Sequence, residues 1–314
     1  MIASVSKELG QQLIANIERV VVGKTAAVRL AVLSLLAGGH VLMEDVPGIG
    51  KTILARSLAR SIHADFKRIK CTPDLLPSDV TGVSIFNPQA RAFEFKRGPI
   101  FTNILLADEI NRATPRTQSS LLEAMEERTV SVDGVTNPLP RPFFLIATQN
   151  PIELQGTFPL PEAQLDRFLL SITLGYPAHA DEVQILSRQM TEHPLDALQP
   201  VVSLEQVQRM QQDIRQIFVD ESIKGYLVQL CARTRQHEDV LLGASPRASL
   251  ALLRASQAAT WLAGESYVLP DTVKLLAPAV LSHRIILKPR ARMTGRHPAD
   301  IVRGVLTDVE VPVR

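Results

Sequence analysis

Cysteine is nearly missing from this 314-residue chain: the two present, Cys71 and Cys231, are too few for a disulfide framework, and a reducing compartment is expected. Aromatic residues make up only 4%, so the interior has to be built from Leu, Ile, Val and Ala. An excess of one charge is also lacking, with 34 Lys and Arg against 32 Asp and Glu and a formal net charge of +2 at pH 7. That balance argues against a strongly basic nucleic-acid binder without excluding a local basic channel. Long hydrophobic runs do not occur either. The most apolar stretch, Ala26–Met43, carries Arg29 and is broken by Gly38-Gly39-His40, so no membrane span is expected. Met1–Glu8 has no basic region leading into an apolar one, so no signal peptide is expected and the placement is cytoplasmic. What remains is a composition of 46% hydrophobic and 21% charged residues, an ordinary globular chain long enough for about two domains.

From about residue 40 to 175 short apolar runs alternate with helical patterns. Val41–Glu44, Phe66–Lys70, Ile104–Ala107, Phe143–Thr148 and Leu170–Leu174 are strand-like. Helices are expected over Lys51–Ser61 and Pro115–Glu127. Buried strands alternating with helices give a parallel sheet covered on both faces. Beyond Tyr176-Pro177 helical periodicity takes over, as in Leu204–Phe218, Ile223–Thr234, Arg247–Ala263 and Pro270–Leu281. The expected division is therefore an α/β nucleotide-binding core over residues 1–177 and a smaller all-helical domain over 178–314.

The strand at 41–44 runs into Asp45-Val46-Pro47-Gly48-Ile49-Gly50-Lys51-Thr52. This matches the phosphate-loop template G-x-x-x-x-G-K-[ST] at Gly50, Lys51 and Thr52, with Asp45 in place of the first glycine. A Gly-Lys-Ser/Thr tripeptide arises by chance in about one chain in six of this length, so its placement between a buried strand and a helix carries the weight. Gly48 and Gly50 free the backbone to wrap a phosphate with its N–H groups, aided by the helix dipole. Lys51 can reach the β- and γ-phosphates, and the Thr52 hydroxyl can hold a magnesium ion.

Ile104–Ala107 ends in Asp108-Glu109. In phosphate-loop proteins an aspartate there holds the magnesium, and a neighbouring glutamate can serve as general base towards the attacking water. Thr148-Gln149-Asn150-Pro151 ends another buried strand at the carboxyl edge, where α/β sheets bind ligands, and Asn150 could hydrogen-bond the γ-phosphate or that water.

Together these motifs resemble an AAA+ ATPase, and more closely the MoxR family of that superfamily. The resemblance rests on Glu44–Thr52, Asp108–Ala113, Leu121–Glu127, Ala147–Pro151, Pro161–Phe168, Ser245-Pro246-Arg247 and His283–Leu287, and spans nearly the whole chain. It implies a P-loop core with a helical lid, binding ATP and Mg2+ through Val46, Pro47, Gly48, Ile49, Gly50, Lys51, Thr52 and Ile53. It implies metal ligation by Thr52 and Asp108, catalysis by Lys51, Glu109 and Asn150, an arginine finger at Arg167 reaching a neighbouring subunit, and a second sensor at Arg247 touching nucleotide within its own subunit. The ordinary alternatives are a salt bridge from Arg167 to Asp166 or Glu162 and a solvated helix-start arginine at Arg247.

Two hairpins are expected as well, Val83–Phe86 with Ala92–Phe95, and Thr129–Val132 turning at Asp133-Gly134. The resemblance makes these loops that face the pore or the partner. It implies a ring, commonly hexameric, acting on protein clients, with partners that often carry von Willebrand factor A domains. A nucleotide-gated assembly scaffold and a nucleic-acid motor remain as alternatives. With Lys51, Arg167 and Arg247 committed to phosphate, little basic surface is expected to remain for nucleic acid.

Overall fold

Before the first strand the chain forms two helices, α1 (Ile2–Glu18) and α2 (Thr25–Leu36), the latter apolar on nearly every side and buried. The computed structural model describes residues 2–150, 156–190 and 194–312; Pro151 lies outside them. The α/β part follows as β1 (Val41–Glu44), α3 (Lys51–Ser61), β2 (Phe66–Lys70), α4 (Pro77–Thr81), β3 (Gly82–Asn87) and β4 (Ala92–Arg97). It continues with β5 (Ile104–Asp108), α5 (Pro115–Glu127), β6 (Thr129–Val132), β7 (Val135–Pro138), β8 (Phe144–Gln149), α6 (Glu162–Leu165) and β9 (Leu170–Ile172). The C-terminal part comprises α7 (His179–Gln189), α8 (Leu204–Ile214), α9 (Glu221–Gln236), β10 (Val240–Leu242), α10 (Pro246–Ala263), α11 (Pro270–Leu281), β11 (Ile286–Leu287), α12 (Pro289–Met293) and α13 (Pro298–Asp308).

The main sheet has five parallel strands in the order β2-β5-β8-β1-β9. Its central strands are apolar throughout because alternate residues serve two interiors. Val41 and Met43, Ile104 and Leu106, and Phe144 and Ile146 face one cluster. Leu42, Leu105 and Ala107, and Leu145 and Ala147 face the other, against α5. The first cluster does not stop at the sheet. It runs through α2 and α3 into α8, α9, α10, α11 and α13.

The parallel sheet, the helical C-terminal region and the hairpins β3–β4 and β6–β7 are those expected from the pattern. The second hairpin turns at Asp133 (φ 50°) and Gly134 (φ 78°), both left-handed as a two-residue turn between twisted strands requires. Beyond residue 177, β10 and β11 add one short antiparallel pair.

Candidate nucleotide site

β1 delivers the chain to the phosphate loop, and Asp45, where the template has glycine, is buried there. Its carboxylate accepts the backbone N–H of Leu174 and, at 2.9 Å, that of Gly175. The residue is therefore an anchor that ties the loop to the chain leaving β9. Gly48 (φ 84°) and Gly50 (φ 95°) both adopt left-handed backbone, and a side chain added at either would meet nothing within 4 Å. Conformation rather than crowding demands glycine here, and the face in front of the loop is open. Such an open cradle at the start of α3 fits a phosphate, which helix-start N–H groups can bind.

Lys51 begins α3, and its Nζ donates to the Asp45 carbonyl at 2.7 Å. Burial lowers its pKa, against the opposing charges of Asp45, Asp108 and Glu109. Around it lies a cleft of about 390 Å3 lined by Pro47, Gly48, Gly50, Thr52 and Ile53 on one side and by Asp108, Glu109 and Asn150 on the other. Parallel pairing of β5 with β8 is what brings the acidic pair beside Asn150. Val46 and Ile49 belong to the same loop without lining that cleft.

Asp108 is held at both oxygens. The Thr148 hydroxyl donates to Oδ1 at 2.7 Å, and the Arg68 guanidinium pairs with Oδ2. Burial alone would push the Asp108 carboxyl up; Thr148, Arg68 and Lys51 outweigh it and hold the group below its ordinary value. The same Thr148 hydroxyl accepts the backbone N–H of Glu109 at 2.9 Å, fixing a residue whose φ of 56° is left-handed. The Glu109 carboxylate is met by Arg112 at 3.2 Å. Among the described residues no cluster of three or more His, Cys, Asp and Glu could hold a metal ion by itself. One aspartate and one threonine beside a phosphate cradle suit an ion shared with phosphate oxygens, as magnesium usually is.

Three participants were not singled out from the sequence. Thr148 is a polar residue inside an apolar run, fully buried, and that contrast was its signal. Arg68 and Lys70 line the cleft from β2, where Lys70 pairs in register with Asp108. Their signal was a strand of alternating character, Phe66-Lys67-Arg68-Ile69-Lys70, at the sheet edge.

Arg167 and Arg247 lie elsewhere. Both line a second pocket, of about 180 Å3, and both pair with one carboxylate on α5. Glu126 Oε2 lies 2.9 Å from Arg167 Nε, and Oε1 meets Arg247 Nη2. Neither Asp166 nor Glu162 is the partner of Arg167. Asp166 instead accepts from Arg284 Nε at 2.8 Å and from Ser245 Oγ at 2.6 Å. Buried Arg284, within His283–Leu287, also donates to the Phe168 and Leu169 carbonyls, fixing the turn that bears Arg167. The implied contact of Arg247 with its own chain's nucleotide is an expectation to set beside this placement. The helix carrying it packs on α2 and α11, so Arg247 emerges beside Arg167 rather than over the phosphate loop.

Comparison with known proteins agrees with this architecture. Residues 40–170 match the family model described as ATPase family associated with various cellular activities, and residues 232–305 match the AAA lid domain. The chain is 53% identical to the uncharacterized protein YeaC of Bacillus subtilis over 95% of its length and 93% of that protein. It is 40% identical to the chaperone MoxR1 of Mycobacterium tuberculosis, covering 96% of this chain and 82% of the relative. Protein MoxR of Methylorubrum extorquens is 30% identical over 95% of this chain and 93% of its own. A crystal structure from Cytophaga hutchinsonii, provisionally described as an ATPase, superposes with a TM-score of 0.92 at 37% identity, covering 99% of this chain and 97% of that one.

Proposed function

This chain belongs to the MoxR family of AAA+ ATPases, and from that premise we propose that it hydrolyses Mg-ATP in an oligomeric ring and spends the cycle on remodelling protein complexes. The observation that carries the reading is the single cleft in which Gly48, Gly50, Lys51, Thr52, Asp108, Glu109 and Asn150 meet.

In this reading the loop amides and Lys51 take the β- and γ-phosphates, Lys51 leaving the Asp45 carbonyl to do so. Thr52 and Asp108 would hold the magnesium, which would neutralise charge between the phosphates. In this structure Asp108 is paired with Arg68. Glu109 takes the proton of the water that attacks the γ-phosphorus, and Asn150 orients that water or the γ-phosphate. The bond to the β–γ bridging oxygen breaks and ADP leaves with phosphate.

Arg167 shares Glu126 with Arg247 and lines a pocket apart from its own loop, which supports delivery of Arg167 to the nucleotide of a neighbouring copy, with Arg247 serving the nucleotide of its own subunit. A guanidinium there is worth about 10³- to 10⁵-fold in rate. The working division is a core over residues 1–177 and a lid over 178–314 in the reducing cytoplasm. Hexameric assembly and a von Willebrand factor A partner belong to the same proposal, and the chaperone name of one relative supports the client class.

Replacing Glu109 by Gln tests the mechanism: turnover is expected to fall about a hundredfold or more while ATP binding persists. Normal turnover in that variant overturns the assignment. Arg167→Ala is expected to abolish turnover alone and to recover part of it when mixed with a Glu109→Gln chain, because each defect then lies on a different side of a shared site.

A further inference from the structure

The pocket that holds Arg167 and Arg247 contains more positive charge than those two explain. Five arginines line it, at positions 128, 167, 247, 254 and 284, against two carboxylates, Glu126 and Asp166. Glu126 is used by Arg167 and Arg247, and Asp166 by Arg284. Arg128 and Arg254 form no ion pair with any carboxylate among the described residues.

These two guanidiniums are built into the wall. Arg254 lies two turns beyond Arg247 on α10, on the face that also gives Leu250 and Ala251 to the pocket. Arg128 caps α5 in left-handed conformation (φ 57°), and its Nη2 donates to the Gly38 carbonyl at 2.9 Å. Burial lowers the pKa of Arg128, and the charges of Arg141, Arg215 and Arg254 lower it further; burial and Arg215 do the same to Arg254. Arg128 is half-buried and Arg254 exposed at the pocket rim, and cations that repel one another across a concave surface are stabilised by an anion that bridges them.

We propose that the Arg128–Arg254 wall is a second phosphate-binding site, separate from the phosphate loop, which takes a di- or triphosphate group. The geometry suits phosphate because planar guanidiniums bind its oxygens in bidentate fashion. The phosphate has two sources: a free polyphosphate, or the nucleotide presented by a second copy of the chain. The second source rests on the reading of Arg167 given above; the first does not.

The test uses a Lys51→Ala chain, which disables the phosphate loop, titrated with inorganic pyrophosphate by calorimetry at a concentration where it is monomeric. Saturable binding is expected, weakened about tenfold or more by Arg254→Gln and independently by Arg128→Gln, with Arg254→Lys retaining part of it. A second arm mixes the Lys51→Ala chain with ATP-loaded Glu109→Gln copies. Association weakened by Arg254→Gln identifies the second copy's nucleotide as the source. Pyrophosphate binding and copy association that both ignore Arg128 and Arg254 overturn the proposal. So does binding of a single-stranded oligonucleotide more than tenfold tighter than pyrophosphate. ATP binding by the chain with Lys51 intact, measured in parallel, separates failure here from failure of the phosphate-loop reading.

Discussion

His40, buried beneath Arg128, is a neutral imidazole by construction. Its Nδ1 accepts the Leu145 N–H at 3.0 Å, and burial, then the charge of Arg128, push its pKa down to about 3 despite a backbone acceptor at Met125. The unfolded chain protonates this group at about 6.5. Its contribution to stability is therefore complete above about pH 6.5 and is lost as the pH falls towards 3, at about 1.4 kcal/mol per pH unit inside that window. His283, half-buried and set beside Arg284, shifts in the same direction. Urea midpoints measured between pH 7 and pH 4 are expected to fall, and His40→Gln is expected to flatten the slope; equal slopes in both chains exclude His40 as the titrating group. The two cysteines play no such part. Burial, and then the charges of Asp108 and Glu109, raise the Cys71 pKa to about 12, and burial raises Cys231 too, so both thiols stay protonated and serve as packing. At this scale the sequence disclosed most of the residues that line the cleft, because strand ends and glycines announce them. It did not disclose Thr148 or Arg68, whose roles exist only once β8 and β2 flank β5.

Helix starts were easy to read where a proline occupies the first turn. α5 begins at Pro115 and α11 at Pro270, matching their expected starts, and α10 begins at Pro246, one residue before the expected Arg247. Ends were harder. The helix expected to run to Phe218 stops at Ile214, because Phe218 forms a bridge with Tyr267. Among these elements α10 carries a cap that serves two ends: Ser245 Oγ accepts the Arg247 N–H at 3.0 Å and donates to Asp166 at 2.6 Å. Ser245→Ala is expected to cost about 1 kcal/mol in a urea melt. It should also lower turnover in the assembled protein, since Arg247 and the Arg167-bearing turn lose their common tie. Lower stability with unchanged turnover would confine Ser245 to capping.

Taken whole, the chain has a neutral balance that conceals a pocket with three more arginines than carboxylates. Composition did not reveal that pocket because it averages over positions that folding gathers together. The pairing of Arg247 with Glu126 was illegible for a related reason: periodicity reveals a helix but not where the helix docks. The docking here is intimate. Gly10 of α1 leaves room for Trp261 and Leu262 of α10, with an added Cβ only 2.8 Å from Leu262 and 3.0 Å from Trp261. As Trp261 is the only tryptophan, its fluorescence reports that contact. Urea unfolding followed by fluorescence and by far-ultraviolet circular dichroism is expected to give coincident transitions; separated midpoints would mean that the halves unfold independently.

The Asp45 carboxylate gives this joined molecule a particular mechanics. The loop that opens α3 and the chain that leaves the sheet at Leu174 and Gly175 are fastened by one side chain, across 129 and 130 residues of sequence. The loop thus has a route of two hydrogen bonds to the segment that enters α7 at His179. Because the Asp45 carbonyl also accepts Lys51, one residue couples the phosphate-loop lysine to that exit.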